Sequence, residues 1–203
     1  TKQMIQIEST DPGTYENTMA NWITSQLAPY PNVQLTRQEV LPGRPNLMAE
    51  LPGDPALPAL IMICHMDTVV VGDGWTLPPF EAIEKNGKIY GRGACDMKSG
   101  LACCLSAFQY AAEMLKTSGK TPKQTLKLIC SMDEEDFMRG SEACIQSGWI
   151  TDHDWVIDAE PTNGQIQMAH KGRTWYEIDV QGHTAHASTP WKGADAIAAM
   201  SEI

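Results

Sequence analysis

The feature that most constrains the fold is an uninterrupted apolar run at residues 59–64, which is followed directly by a histidine. It is far shorter than the roughly 20 residues that a membrane helix needs, and it is typical of a strand buried in a parallel sheet. Residues 125–131 and 155–158 have the same character, and we interpret both as buried strands. An apolar stripe through residues 101–115 predicts a long helix that ends near Gly119. Alternating strands and helices predict an α/β sandwich with a mainly parallel sheet.

Weaker patterns predict the remaining elements. A helical face runs through residues 15–27, residues 33–40 and 46–51 alternate like strands, and residues 141–147 have the pattern of a short helix. The pattern changes near residue 171, since residues 174–180 alternate clearly and residues 193–203 begin another helix. We therefore expect two units, residues 1–171 and 172–203.

The charge and cysteine content exclude several functional classes. The 203 residues carry 15 basic and 25 acidic side chains, a net charge of −10, and contain no basic arm that would bind nucleic acid. The six cysteines contain no Cys-x-x-Cys pair, which argues against a redox or thiol protein. We see no signal peptide or membrane segment and expect a cytoplasmic protein with reduced thiols.

Four polar clusters follow predicted strands or lie in nearby loops, where open α/β sheets bind ligands. Taken alone, three of the clusters fit an ordinary polar surface better than a binding site, and the cluster around Asp96 fits both equally. One histidine with several carboxylates recurring at strand ends and nearby loops favours instead an oxygen-rich site for two metal ions. The clusters are His65-Met66-Asp67, residues 91–100 around Asp96, residues 133–136 with Glu134 and Glu135, and residues 158–162 with Glu160.

The chemistry of each cluster suggests a role. On an extended chain His65 and Asp67 face the same side, so His65 can bind a metal ion while Asp67 accepts its other ring N–H. Asp96 lies on a glycine-flanked loop, and its carboxylate can bridge two cations. Of two adjacent glutamates, Glu134 and Glu135, one can bind metal while the other acts as a general base.

These motifs resemble those of the co-catalytic metallopeptidase and deacylase family of acetylornithine deacetylase, succinyl-diaminopimelate desuccinylase, carboxypeptidase G and aminoacylase. The resemblance covers nearly the whole chain and includes a further motif at residues 182–190. It implies a zinc-peptidase-like three-layer sandwich, with residues 1–171 as the N-terminal part of the catalytic domain. Residues 172–203 would begin an inserted α+β lid or dimerisation domain, which the chain leaves incomplete.

The resemblance also implies a role for each site residue. Asp67 would orient the histidine ligand, Asp96 would bridge the two metal ions, and Glu134 would be the general base. His186 would bind substrate, in the active site of a neighbouring subunit. The implied metal ligands are His65, Asp96, Glu135 and Glu160. The family's last histidine ligand is expected farther downstream than any of the five histidines of this chain.

The implied cofactors are two divalent ions, zinc first and cobalt or manganese as alternatives. The implied activity is hydrolysis of N-acyl amino acids, and residues 7–10 and 160–162 favour the deacetylase and desuccinylase branch of amino-acid biosynthesis. Two alternatives stay open: a dipeptidase or carboxypeptidase of the same family, and a catalytically incomplete metal-binding fragment that acts as an interaction module. A homodimer through the second domain is implied by the resemblance alone.

Overall fold

The structure, a computed structural model, describes residues 1–203, which form two compact units, Thr1–Gly164 and Gln165–Ile203. The strands are β1 (Thr10–Asp11), β2 (Gln34–Leu41), β3 (Arg44–Leu51), β4 (Leu60–His65), β5 (Thr68–Val69), β6 (Ile83–Lys85), β7 (Lys88–Tyr90), β8 (Leu126–Ser131) and β9 (Trp155–Asp158). The α-helices are α1 (Lys2–Ile5), α2 (Asn17–Leu27), α3 (Lys98–Ser118), α4 (Arg139–Gln146) and α5 (Ala196–Met200), and Pro190–Lys192 form a 3₁₀ helix.

The central sheet has five strands in the order β2-β3-β8-β4-β9. Strand β4 pairs in parallel with β8 and β9, as the apolar runs predict. The β2–β3 and β3–β8 pairs are antiparallel, so the sheet is mixed, and the prediction of a mainly parallel sheet is corrected in this respect. The reason is the tight β2–β3 connection at Gly43, whose φ of 72° suits a short hairpin and forces the two strands to run in opposite directions.

Helices cover both faces of this sheet, which confirms the three-layer α/β architecture. Alternate residues of β8 face opposite sides, since Leu128 and Cys130 join one apolar cluster and Ile129 joins the other. The first cluster contains the inward faces of α2 and α3, and the second contains Cys144 of α4. Helix α3 ends at Gly119, whose left-handed φ of 65° is the expected glycine termination.

Strand β9 forms where the sequence predicts it, but it is not buried. Trp155 is 67% exposed, Val156 47% and Ile157 52%. Because β9 is the edge strand, it has a neighbouring strand on one side only, and the described residues leave its apolar side chains accessible. The apolar run correctly predicts a strand, while its burial depends on what lies beside it.

The second unit contains little regular structure. Residues 174–180 form no strand despite their alternation. Alternation alone does not make a strand, because the N–H and C=O groups of a strand must pair with a neighbouring one. Helix α5 is shorter than the predicted one and is capped by the Asp195 side chain, which accepts from the N–H groups of Ile197 and Ala198. The observed division falls after residue 164, and membership of a lid or dimerisation domain stays a prediction. None of the helices combines the length and the apolar character that crossing a membrane requires.

The carboxylate of Asp154 fastens the start of β9 to the start of β4. It accepts the N–H of Ala59 at 2.9 Å and both the N–H and the hydroxyl of Thr151 at 2.9 Å. Burial opposes ionisation, but these donors outweigh it and hold the pKa of Asp154 below its usual value.

We therefore expect Asp154→Ala to lower the free energy of unfolding by about 1–3 kcal/mol. Because the folded-state pKa is depressed, this contribution is present above the unfolded pKa near 4 and is lost as the pH falls through the folded value. Urea unfolding of the wild type and the variant at pH 7 and pH 3 measures this difference in the free energy of unfolding. Asp152→Ala, at an exposed position two residues away, is the matched control. If Asp154→Ala and Asp152→Ala lose equal free energy of unfolding at pH 7, Asp154 does not stabilise the starts of β4 and β9 as described.

Candidate metal centre

Most of the predicted site residues lie at or just after the ends of the parallel strands β4, β8 and β9, whereas Asp96 lies on the loop before α3. His65 ends β4 and is paired with Ser131, the last residue of β8, while Ile63 is paired with Asp158, the last residue of β9. The polar segments that continue from these strands therefore begin side by side.

His65 is the centre of the site and is 2% exposed. Its Nε2 lies 3.2 Å from Asp96 Oδ1, 3.5 Å from Glu160 Oε1 and 3.9 Å from Glu134 Oε2. On the other side of the ring, Nδ1 lies 2.9 Å from the main-chain oxygen of Asp67 and 3.5 Å from its Oδ1. Since a carbonyl oxygen only accepts, Nδ1 carries a proton, and Nε2 of the neutral ring is the nitrogen that can bind a metal ion.

The loop that carries Asp96 is held against the site by the start of α3. The N–H of His65 donates to the Met97 sulfur, and Lys98, which is fully buried, donates from Nζ to the Ile7 oxygen at 2.7 Å. At Gly100 a Cβ atom would lie 2.2 Å from the main-chain oxygen of Ala159. Helix α3 thus abuts the segment that carries the Glu160 carboxylate, and a glycine is needed at this contact.

Asp67 has a second role that the sequence does not reveal. Its Oδ1 accepts the N–H of Glu134 at 3.2 Å, and its Oδ2 accepts the N–H of Glu135 at 3.0 Å. The Glu135 carboxylate in turn accepts the N–H of Val69 at 3.3 Å. Asp67 therefore fixes the main chain of the two glutamates as well as lying beside the imidazole.

The pKa values show how strongly the charges interact. Burial opposes protonation of His65, but Asp67 and Asp96 outweigh it and raise its pKa to about 11. Burial raises the pKa of Glu160 to about 8; His65 opposes this rise, and Asp158 and other carboxylates add to it. The hydrogen bond from His65 lowers the pKa of Asp96. Without a metal ion, the imidazolium is the cation that these carboxylates share.

The donor atoms fit a divalent cation. One ligand atom each from His65, Asp96 and Glu160 lie within 4.8 Å of one another, and zinc, cobalt and manganese accept imidazole nitrogen with carboxylate oxygen. Two further groups, Asp11 with Asp133 and Asp136 and Asp11 with Glu16 and Asp67, are equally close together. In those groups the guanidinium of Arg44 already contacts Asp11, Glu16 and Asp133. We therefore place the candidate centre at His65.

The structure thus brings together His65, Asp96, Glu134 and Glu160, with Asp67 behind the imidazole. The Glu135 carboxylate lies beside this group, and burial raises its pKa. His186 lies in the second unit, where it is exposed and its Nδ1 lies 2.8 Å from the Ser188 hydroxyl.

Comparison with known proteins identifies the family. The chain belongs to peptidase family M20/M25/M40, whose family model matches residues 61–203. This confirms the resemblance of the motifs and makes the chain a member of a family of hydrolases.

Two curated relatives are named for deacylation. A probable succinyl-diaminopimelate desuccinylase from Staphylococcus aureus is 37% identical over 162 residues, which is 79% of this chain and 39% of that protein. An acetylornithine deacetylase from Buchnera aphidicola is 38% identical over 137 residues, 67% of this chain and 34% of that protein. The chain thus spans less than two fifths of the length of these relatives.

Solved structures show the same fold. A tripeptidase from Staphylococcus aureus superposes with a TM-score of 0.61 and 21% identity, covering 98% of this chain and 52% of that one. This likeness confirms the fold class and says nothing of the substrate.

We expect Zn²⁺ or Co²⁺ to raise the thermal unfolding midpoint of the chain, since an ion at 100 times its Kd adds about 2.7 kcal/mol to stability. Glu160→Gln removes one ligand and should abolish most of this gain. Without metal the variant should be at least as stable as the wild type, because glutamine removes a repelled carboxylate. Differential scanning calorimetry measures both effects, with Glu142→Gln on the exposed side of α4 as control. A gain that is undiminished in Glu160→Gln would exclude this ligand.

Proposed function

We propose that the chain provides metal-binding and catalytic residues of an amide hydrolase that deacylates N-acyl amino acids. The observation that carries this proposal is the approach of three carboxylates, from Asp96, Glu134 and Glu160, to Nε2 of one buried histidine. Isolated surface acids repel one another, and such convergence is characteristic of a site that binds cations.

His65, Asp96, Glu135 and Glu160 would hold the two divalent ions, and Asp96 would serve both of them. Zinc is the first choice, and cobalt and manganese are alternatives that suit the same donors. The chemistry that such ions supply when bound is polarisation of an amide carbonyl and activation of water at neutral pH. Asp67 holds the imidazole and the main chain of the two glutamates, so that these side chains do not have to reorganise during the reaction.

Glu134 is the proposed general base. Its carboxylate accepts a proton as a water oxygen bonds to the acyl carbon, and it returns this proton to the nitrogen as the C–N bond breaks. The position supports this role, because Glu134 Oε2 lies 3.9 Å from the histidine Nε2 and its side chain is 31% exposed, open to water. The N–H bond to Asp67 fixes the main chain from which the carboxylate extends.

The relatives named for desuccinylation and deacetylation support an N-acyl amino acid as substrate. A place in amino-acid biosynthesis in the cytoplasm is part of the same proposal. The family to which the chain belongs is described as a peptidase family, which supports a second candidate, hydrolysis of short peptides by the same site. We further propose that His186 contacts substrate, in trans in a homodimer formed through the second unit. Its Nδ1 is engaged by Ser188, so Nε2 is the nitrogen that would meet the substrate.

Glu134→Gln should lower kcat by 10²- to 10⁴-fold, as expected for loss of a general base, while zinc binding is retained. The assay compares N-succinyl-diaminopimelate, N-acetylornithine and a dipeptide, and isothermal titration measures zinc binding. Glu142→Gln again serves as control. Unchanged turnover in Glu134→Gln would refute the assigned base. Cleavage of the dipeptide alone would favour the peptidase, and zinc binding without any hydrolysis would favour the interaction module.

A further inference from the structure

A buried arginine lies among three carboxylates next to the candidate centre. Arg44, the first residue of β3, is 7% exposed. Its Nε donates to Glu16 Oε2 at 2.9 Å, and its Nη2 contacts both Glu16 Oε1 and Asp11 Oδ2. Its Nη1 lies 3.3 Å from Asp133 Oδ1, and the Tyr15 ring centre lies 4.2 Å from the guanidinium carbon. All three nitrogens of the guanidinium are thus in use.

Asp133 connects Arg44 to the turn that carries the two glutamates. Its own N–H donates to Glu16 Oε1 at 3.2 Å, and Arg139 binds its two carboxylate oxygens at 2.6 Å each. Asp133 has a φ of 63°, a left-handed conformation that is unfavourable for a residue with a side chain. The contacts with Arg44, Glu16 and Arg139 hold it there, and this conformation sets the direction of the chain at Glu134.

The next contacts lead directly to the centre. The N–H groups of Glu134 and Glu135 donate to the two oxygens of Asp67, and Asp67 Oδ1 lies 3.5 Å from His65 Nδ1. An unbroken series of contacts therefore joins the Arg44 guanidinium to the imidazole, although Arg44 contacts neither the imidazole nor the glutamate carboxylates directly.

We propose that Arg44 is a positioning residue that holds the Glu134–Glu135 turn and Asp67 in the arrangement that the metal centre needs. The expected effect on turnover rests on the proposed function, whereas the expected effects on the turn and on zinc binding do not. A buried ion network is a weak source of stability, since well-packed apolar residues often serve as well. The arrangement of the three carboxylates is nevertheless specific to arginine. The planar guanidinium can donate to all three, whereas the lysine ammonium is a point charge that cannot form the same fork.

The test variant is therefore Arg44→Lys, which keeps the charge and removes the fork. We expect amide hydrogen exchange at Glu134 and Glu135 to accelerate about tenfold or more, while exchange in β8 at residues 128–130 changes little. We expect zinc affinity to fall about 10- to 100-fold, as is usual when the partners of metal ligands are altered. If the chain hydrolyses an N-acyl amino acid, kcat should fall more than KM rises, because the base is misplaced while substrate contacts are kept.

Arg37→Lys is the matched control. Arg37 lies on the neighbouring strand β2, and its guanidinium donates hydrogen bonds to the side-chain oxygens of Asn17 and Asn21, at exposed positions of α2. This variant should leave zinc affinity, the exchange of both glutamate amides and turnover unchanged.

The outcomes separate this inference from the proposed function. Wild-type zinc affinity and unchanged glutamate exchange in Arg44→Lys would overturn the positioning role, whether or not the chain is an enzyme. Absence of hydrolysis in the wild type would count against the function alone, because exchange and zinc binding still report on Arg44. Uniformly faster exchange throughout the first unit would assign Arg44 to overall stability and overturn the proposal. If Arg44→Lys does not fold, Glu16→Gln, which keeps an acceptor for the Asp133 N–H, is judged by the same measurements.

Discussion

Negative charge gathered around one buried imidazole is the constraint on which the candidate site depends. Asp96, Glu134 and Glu160 approach the same nitrogen of His65 within 4 Å, and carboxylates so close repel one another unless a cation lies between them. The pKa of about 8 for Glu160 expresses this repulsion together with burial. Nearby acids meet the same difficulty in another way, because Arg44 contacts Asp11, Glu16 and Asp133, and Arg139 binds Asp133 as well. Arginine side chains thus offset part of the charge of one acidic group, and the other group is the one at which we propose a metal ion binds.

The mixed sheet explains how both groups reach the same edge. The parallel strands β4, β8 and β9 end together, so the segments after them carry the histidine and most of its carboxylates. Strand β3 runs antiparallel to β8, and its first residues lie beside the last residues of β8, as the pairing of Leu47 with Cys130 shows. The hairpin therefore delivers Arg44 to this edge from the opposite direction. A purely parallel sheet would place the start of β3 at the far end.

Local patterns in the sequence predicted most of the fold and the set of polar residues at the site. Apolar runs locate β4, β8 and β9, the position at a strand end marks His65, and the glycine-flanked loop marks Asp96. Burial could not be predicted for β9, because it depends on neighbours and not on composition. The run Asp133–Asp136 has the composition of a solvated loop, yet Asp133 is fully buried, because its partners Glu16 and Arg44 are distant in the chain. No local signal marks such a pairing, nor the bonds from Asp67 to two main-chain N–H groups.

The most direct test of the account is anomalous X-ray diffraction from crystals grown with zinc and collected on both sides of the zinc absorption edge. We expect an anomalous peak within bonding distance, about 2.0–2.2 Å, of His65 Nε2 and of carboxylate oxygens from Asp96 and Glu160. A peak at the acidic group around Asp11 and Asp133, or at cysteine sulfur, with none at His65, would contradict it.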